Sequence, residues 1–463
     1  MDNFVQTHNK DWFYARLKRH THELFRLALP TSLSRIGMIT LGIADTAFVG
    51  HYATEHLAWL NLANQSVIMF SLVVGIGMVL GVMVMTADAY GKEDWAGCGR
   101  VWRRSLLFAF IVSLAMVLIA WPAKFWLSFL GQTADDVTHA TKLIHILALG
   151  LPAHILFFTS NMFLEGVKRP GIGFVLMILA NLVNLFFDYV LVFGVYGFPE
   201  MGAEGSAWTS TIVRWFMALA LMGYIWFAPS LKRYEVRKPH GQKWHMWKKQ
   251  RMIGYSSAVS MAVEAAAFAG LVIFAGWLGT IPLAAYGIVF QLIALPFMMA
   301  MGIGMASSVR VGITFSRLDR ADTMLGGWTG IVMTMILLLT LGGLMVLFAG
   351  GAMALFTDDP EVMAVLIPVV TTVILMMFFD GTQGVVSNIL RGLQETWMPT
   401  VIQTISYIGI MIPLCYYLAI SMDRGLQGLM EGAAIASIFS ASVLSARFWW
   451  ITRAKSKLFN PNS

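Results

Sequence analysis

Apolar runs of about 20 residues, the length an α-helix needs to cross roughly 30 Å of hydrocarbon, recur along the chain and are separated by short polar stretches. The pattern predicts twelve helices, at 24–49, 57–87, 102–129, 136–164, 171–195, 204–228, 252–277, 282–309, 323–350, 361–390, 398–420 and 428–453. An all-α membrane protein follows, with little chain left for a soluble domain. Charge tells which end of each helix lies where. The connections after the even-numbered helices carry Lys92, Arg100, Arg103 and Arg104, then Lys168 and Arg169, then Arg310, Arg317 and Arg320, then Arg391, and the tail adds Arg453, Lys455 and Lys457. The alternate connections carry Asp135, Asp136, Glu200, Glu204, Asp358, Asp359 and Glu361. Basic loops stay in the cytoplasm, so both termini are expected there, in a cytoplasmic (inner) membrane.

Composition agrees: 58% of the residues are hydrophobic and 12% charged, with a mean hydropathy of +0.70. Residues 1–22 are polar and basic with no apolar core, which predicts a cytoplasmic arm and no signal peptide. Cys98 and Cys415 are the only cysteines and fall in different halves, which argues against a disulfide framework. The net charge of +7 raises nucleic acid as a partner, but much of it is concentrated in the segment SLKRYEVRKPHGQKWHMWKKQR, residues 230–251. With Trp244 and Trp247 interleaved, that segment fits a linker lying on anionic cytoplasmic lipid, and no nucleic acid is expected.

Sliding the sequence on itself by 226 residues places Gly50 on Gly276, Leu57-Ala58 on Leu283-Ala284, Gln65 on Gln291 and Gly166 on Gly392. One residue more aligns Gly75-Ile76-Gly77 with Gly302-Ile303-Gly304 and Gly205 with Gly432. A duplicated six-helix unit explains this. Because six is even, the two lobes share a direction and are related by a pseudo-two-fold axis along the membrane normal. The expected organisation is an arm at 1–22, an N-lobe at 23–228, the basic linker at 229–251, a C-lobe at 252–453 and a tail at 454–463. Gly77 and Gly81, like Gly304 and Ser308, have the spacing that lets helices approach closely, a packing role first.

The acids break the repeat. Asp45 falls opposite Leu271, Asp188 opposite Leu414 and Glu264 opposite Met38, so they are not part of a common scaffold. An Asp at a helix centre costs about 2.5 to 3.5 kcal/mol to insert, so each needs a partner or a cavity. From the rise per residue, Asp45, Asn184, Asp188 and Thr209 share a depth in the outer half of one lobe. Two carboxylates with an amide and a hydroxyl make an oxygen-rich pocket for a proton or a small hard cation such as Na+. In the other lobe Glu264, with Ser257 and Ser260 on its face, and Asp380, in a stripe with Gln383, Ser387 and Arg391, define a possible second cation site. The competing reading makes each acid a structural partner of a buried base such as Arg35 or Arg214, and Arg214 and His154 are themselves expected to pair structurally.

The stretches ADTAFVGHYATEHLA, MTADAYGKED, LEGVKRP, LRGLQETWMP and NLFFDYVLVFG resemble the multidrug and toxic compound extrusion family across essentially the whole chain. The resemblance implies a two-lobed, twelve-helix exporter. It implies a cation site of the DinF-like branch at Asp45, Asn184, Asp188 and Thr209, and matches Pro30 to a proline where the first helix bends in some members. Glu264 and Asp380 resemble the sodium-site acids of the NorM-like branch, where a tyrosine one turn before the second acid contributes. Here that position is Met376, which shifts the preference to protons.

The expected function is an antiporter that exports organic, mostly cationic compounds as H+ or Na+ enters, working as a monomer with drug-like substrates and membrane lipids as its partners. The 31 Met and 31 Phe residues would suit an adaptable cleft, although most are expected to face lipid or neighbouring helices. No cofactor beyond the coupling ion is expected. A lipid-linked oligosaccharide flippase is the nearest alternative, disfavoured by the scarcity of intramembrane bases for a pyrophosphate. An enzyme is disfavoured because no HExxH, GxSxG or aspartate-rich metal motif occurs, and a passive channel rarely needs a duplicated body with unlike acids.

Overall fold

The computed structural model describes residues 10–238, 243–348, 359–453 and 459. Asp358, Lys455 and Lys457, part of the expected arm and tail, and residues 239–242 of the linker lie outside these. Twelve helices among the described residues are long and apolar enough to cross a membrane. They are α1 (Lys10–Tyr52), α2 (Thr54–Gly91), α3 (Trp95–Ala120), α4 (Ala134–Gly166), α5 (Gly171–Phe193), α6 (Ala203–Phe227), α7 (Trp244–Leu278), α8 (Thr280–Ser316), α9 (Arg320–Leu347), α10 (Pro360–Gly392), α11 (Met398–Ser421) and α12 (Gly425–Thr452). Large apolar side chains at mid-span stand exposed, Leu219 by 61% and Ile336 by 60%, as lipid-facing positions must.

The elements depart from the hydropathy reading where polarity or proline intervenes. The helix begins at Lys10 rather than 24, because residues 10–22 are helical but too polar for hydropathy to register. The third predicted helix, 102–129, is two: α3 ends at Ala120 and a short helix, Ala123–Phe129, follows Pro122, which has no N–H to continue the ladder. Pro30 sits inside α1, with helix on both sides of it. The π-turns Asn64–Ile68 in α2, and Ile405–Met411 and Tyr417–Ser421 in α11, have no signature in apolar periodicity.

The chain forms two compact units. One is Leu33–Val259; the other joins Ser260–Ser463 to the helix up to Ser32. These edges differ from the expected lobes, 23–228 and 252–453, and small residues explain why. In the first unit a Cβ on Gly77 of α2 would lie 2.6 Å from Ala258 Cα, so the start of α7 packs directly on α2. In the second, a Cβ on Gly302 of α8 would lie 2.7 Å from Ser32 Cα, and the Ser32 hydroxyl donates to the Met299 carbonyl at 3.0 Å. The repeat is obeyed: the first helix of each half begins against the other half's second helix, and the two crossing points, Ser32 and Val259, are 227 residues apart. Gly166 and Gly392 keep their correspondence too. Their added Cβ atoms would meet Thr86 of α2 at 2.7 Å and Ser308 of α8 at 2.6 Å. A Gly77→Leu substitution should wedge α2 from α7 and cost about 3 kcal/mol or more, read as a lower thermal midpoint of the purified chain.

The basic linker folds back onto the first unit. Tyr234 and Leu231 are fully buried. Of the two tryptophans expected against lipid, Trp244 is 51% exposed, whereas Trp247 is buried beside Phe108 of α3 with Arg104 and Arg251 over its ring. Arg104 also donates to Gln250 at 2.6 Å. Stacking of Arg104 on Trp247, with hydrogen bonds from Arg104 to Gln250, from Gln250 to the Ser105 hydroxyl and from Arg103 to the Lys238 carbonyl, thus holds the linker to α3.

Candidate functional site

In the first unit three helices converge on Asp45. The Asn184 amide of α5 donates to Asp45 Oδ1 at 2.8 Å, and the Ser210 hydroxyl of α6 donates to Oδ2 at 2.6 Å. Asp188, one turn beyond Asn184, is fully buried. Its carboxyl lies within hydrogen-bonding reach of Asp45 and beside Thr209 and Ser206. Yet neither Asp188 oxygen meets a donor in good geometry, and the Thr209 hydroxyl is turned to the Gly205 carbonyl at 3.0 Å. Asn184 Oδ1 also has no donor.

This asymmetry sets the chemistry. Asp45, with a donor on each oxygen, has the surroundings of a carboxylate, whereas Asp188 has those of a carboxylic acid. A second bare negative charge here would be a buried ion with no donor, a penalty of several kcal/mol. A proton between the two carboxyls removes it. So would a small hard cation, because Asp188 Oδ1 and Oδ2 and Asn184 Oδ1 form an oxygen donor set with spare lone pairs.

The arginine alternative fares poorly at this site. Asp45 is held by an amide and a hydroxyl, and Arg214, which faces it electrostatically, has Nη1 3.4 Å from the Leu147 carbonyl. The pairing expected for His154 is absent: the residue is 8% exposed and neither ring nitrogen has a hydrogen-bond partner. Ser210 was missed from the sequence, although Ser206, Ser210 and Arg214 recur every four residues and mark one polar face of α6.

The second unit holds a separate cluster. Asp380 Oδ1 accepts from Gln383 Nε2 at 2.7 Å, from the Tyr407 hydroxyl at 3.2 Å and from the Ser437 hydroxyl at 3.3 Å. Glu264, partly buried on α7, faces Asp380 and Arg391. Gln403 of α11 gathers Ser260, Ser387 at 3.2 Å and Arg391 at 3.4 Å on its amide oxygen. The stripe read from α10 is therefore real, but its partners on α11 and α12 were not foreseen. Met376 is a buried apolar residue, as its identity requires. A tyrosine nevertheless reaches Asp380, from α11 rather than α10, so the Met376 argument against this cluster loses its force. Pro413 forbids a regular ladder in α11, and Tyr407 lies in the widened turn before it. Tyr407→Phe should leave Asp380 with two donors, cost about 1 kcal/mol in a thermal melt and change transport only a few-fold. Among the described residues no group of three or more His, Cys, Asp or Glu could hold a metal ion.

Residues 30–190 and 256–417 match the MatE family. The chain is 32% identical to the probable multidrug resistance protein NorM of Caulobacter vibrioides, over 92% of this chain and 90% of that one. It is 28% identical to the protein of the same name in Agrobacterium fabrum, over 98% and 97%. Its fold matches the eukaryotic MATE transporter AtDTX14 with a TM-score of 0.87 at 19% identity, covering 96% and 98%. With twelve apolar helices in two six-helix lobes and both halves of the repeat matched, this multi-pass membrane protein belongs to the MatE family, the multidrug and toxic compound extrusion family its sequence resembles.

Proposed function

We propose that this chain is a multidrug efflux antiporter of the cytoplasmic membrane, exporting organic, mostly cationic compounds in exchange for inward H+ (or Na+). The probable multidrug resistance proteins it resembles support the export of drugs. The observation that carries the coupling is the buried pair Asp45 and Asp188, one with two donors and one with none. From outside, a proton or cation settles on the pair and cancels its charge; release to the cytoplasm restores it. Substrate and ion bind to opposite charge states of the site, so each opposes the other's binding, and that reciprocity is what couples the flows. Pro30 supplies a weak point in α1, since its nitrogen has no proton to donate.

In this reading both termini are cytoplasmic, the monomer is the working unit, and the protein is a carrier rather than an enzyme. The lipid-linked oligosaccharide flippase is not favoured, because the curated relatives are named as multidrug resistance proteins. Purified protein in sodium-free proteoliposomes should move ethidium uphill under a pH gradient and stop when the gradient is collapsed. Transport that requires sodium would assign the site to Na+; a leak indifferent to both gradients would refute antiport.

A further inference from the structure

Buried charge on α4 lies outside both clusters. His154, Phe158, Asn161 and Glu165 follow one another at spacings of four, three and four residues and so share a face. Glu165 is 4% exposed and occupies the last turn of α4, which ends at Gly166 with Val167 as its cap. The free carbonyls of a helix end carry a negative charge of about half a unit, so an ionised acid there is opposed by its own helix. Its Oε1 accepts from the Asn161 amide at 2.8 Å, whereas Oε2 has no hydrogen-bond partner. The neighbouring helices α2 and α5 bring Thr86 and Gly173 to this region, neither of which titrates. The charged group facing Glu165 is Arg35 of α1, 8% exposed, its guanidinium 5.1 Å from the centroid of Phe158.

The repeat gives this pair a counterpart. The 226-residue offset that sets Gly166 on Gly392 sets Glu165 on Arg391. Arg391 of α10 faces Glu264 of α7, and α7 and α10 are the repeat equivalents of α1 and α4. Each unit therefore sets one acid against one buried base between its first and fourth helices, with the signs exchanged: Glu165 faces Arg35 in the first, and Arg391 faces the partly buried Glu264 in the second. Inherited scaffold would repeat the residues. Here only the attraction repeats, which points to the pair itself as the thing retained.

We infer that Glu165 is a second proton-binding residue of the first unit, whose loss of its proton to the cytoplasmic side forms an ion pair with Arg35 and draws α1 against α4. The inference rests on the proton-coupled reading above. Protonated, Glu165 is neutral, and an Oε2 that meets no donor then carries no unsupported charge. Deprotonated, the carboxylate and the guanidinium, both buried, attract each other. Arg35 lies three residues beyond Ser32, where α1 passes from one compact unit to the other, and ten residues before Asp45. A charge change at Glu165 thus acts on the stretch of helix that carries the coupling acid.

The test counts protons. Purified full-length protein in weakly buffered, sodium-free detergent solution is titrated with ethidium, and the protons released per ethidium bound are read with an indicator dye. Glu165→Gln should release about one proton fewer than wild type, and its ethidium flux under a pH gradient should fall about tenfold. Glu165→Asp, which keeps an acid, should recover both. Should glutamine cost the fold, Arg35→Gln reports the same linkage from the other side: without the guanidinium the acid keeps its proton longer, so release moves to higher pH. A wild type that releases protons, with Glu165→Gln releasing the same number or Arg35→Gln an unchanged pH profile, overturns the inference alone. A wild type that releases none and follows sodium overturns the proton reading and the inference with it.

Discussion

Asp188→Asn is expected to reduce gradient-driven efflux by about a hundredfold while leaving expression and thermal stability close to wild type. The amide is nearly the shape of the acid. It adds a donor where both Asp188 oxygens have none and removes the charge that a proton or cation would neutralise. The Asp45 carboxylate, already held by Asn184 and Ser210, gains a permanent neutral neighbour, and the pair can no longer alternate between two charge states. Stability should stay close to wild type, since the amide, like the protonated acid it replaces, carries no charge. Binding of ethidium should persist, so the loss falls on coupling rather than on recognition. Wild-type efflux from Asp188→Asn in proteoliposomes would remove Asp188 from the mechanism.

Asp322→Asn is expected to lower stability by about 3 kcal/mol. Asp322, at the start of α9, has a side chain 6% exposed and receives Arg19 at 2.6 Å, Arg16 at 3.0 Å and His20 Nε2 at 3.0 Å, with Arg310 at 3.9 Å. Arg310 in turn donates to His20 Nδ1 at 3.1 Å and pairs with Glu23 at 2.5 Å. An arginine cannot accept a proton, so His20 Nδ1 carries the lone pair and Nε2 the hydrogen. Neutralising Asp322 leaves three guanidinium groups crowded with one carboxylate between them. Partial solvent access to Arg16 and Arg19 keeps the cost near the lower end of what breaking a buried ion pair brings. The readout is a lower thermal midpoint, together with faster trypsin cleavage at Arg16 and Arg19. A variant as stable and as resistant as wild type would show that α1 is held by apolar packing alone.

Much of this was readable before the fold. Polar residues in oil are rare enough that Asp45, Asn184, Asp188 and Thr209 could be grouped by depth alone, and the structure does bring Asp45 to Asn184. The repeat was readable because glycines mark close approach, as Gly166 and Gly392 do against α2 and α8. What escaped depends on facts that side-chain identity does not carry. A hydroxyl side chain in a membrane helix more often bonds its own backbone, as Thr209 does, and nothing intrinsic to Ser210 says that it will bond Asp45 instead. Tyr407 reaches Asp380 from a widened turn, which breaks the 3.6-residue count used to assign faces. Residues 10–22 were read as an arm because hydropathy is silent about a polar helix; their order comes from Asp322, some three hundred positions away. The edges of the compact units differ from the expected lobes because a loop is visible in sequence, whereas the packing of the starts of α1 and α7 depends on what faces Gly302 and Gly77.

The proposed coupling requires buried carboxyls that hold a proton when substrate is absent and give it up when substrate binds. The most direct measurement is the affinity of the purified protein for ethidium as a function of pH, in wild type and in Asp45→Asn/Asp188→Asn, without sodium. Wild-type affinity should rise with pH, by up to about tenfold per unit for each proton displaced, and the double variant should bind with an affinity that pH changes much less. A wild-type affinity that stays flat across the same range, or a double variant that keeps the full wild-type slope, would contradict it.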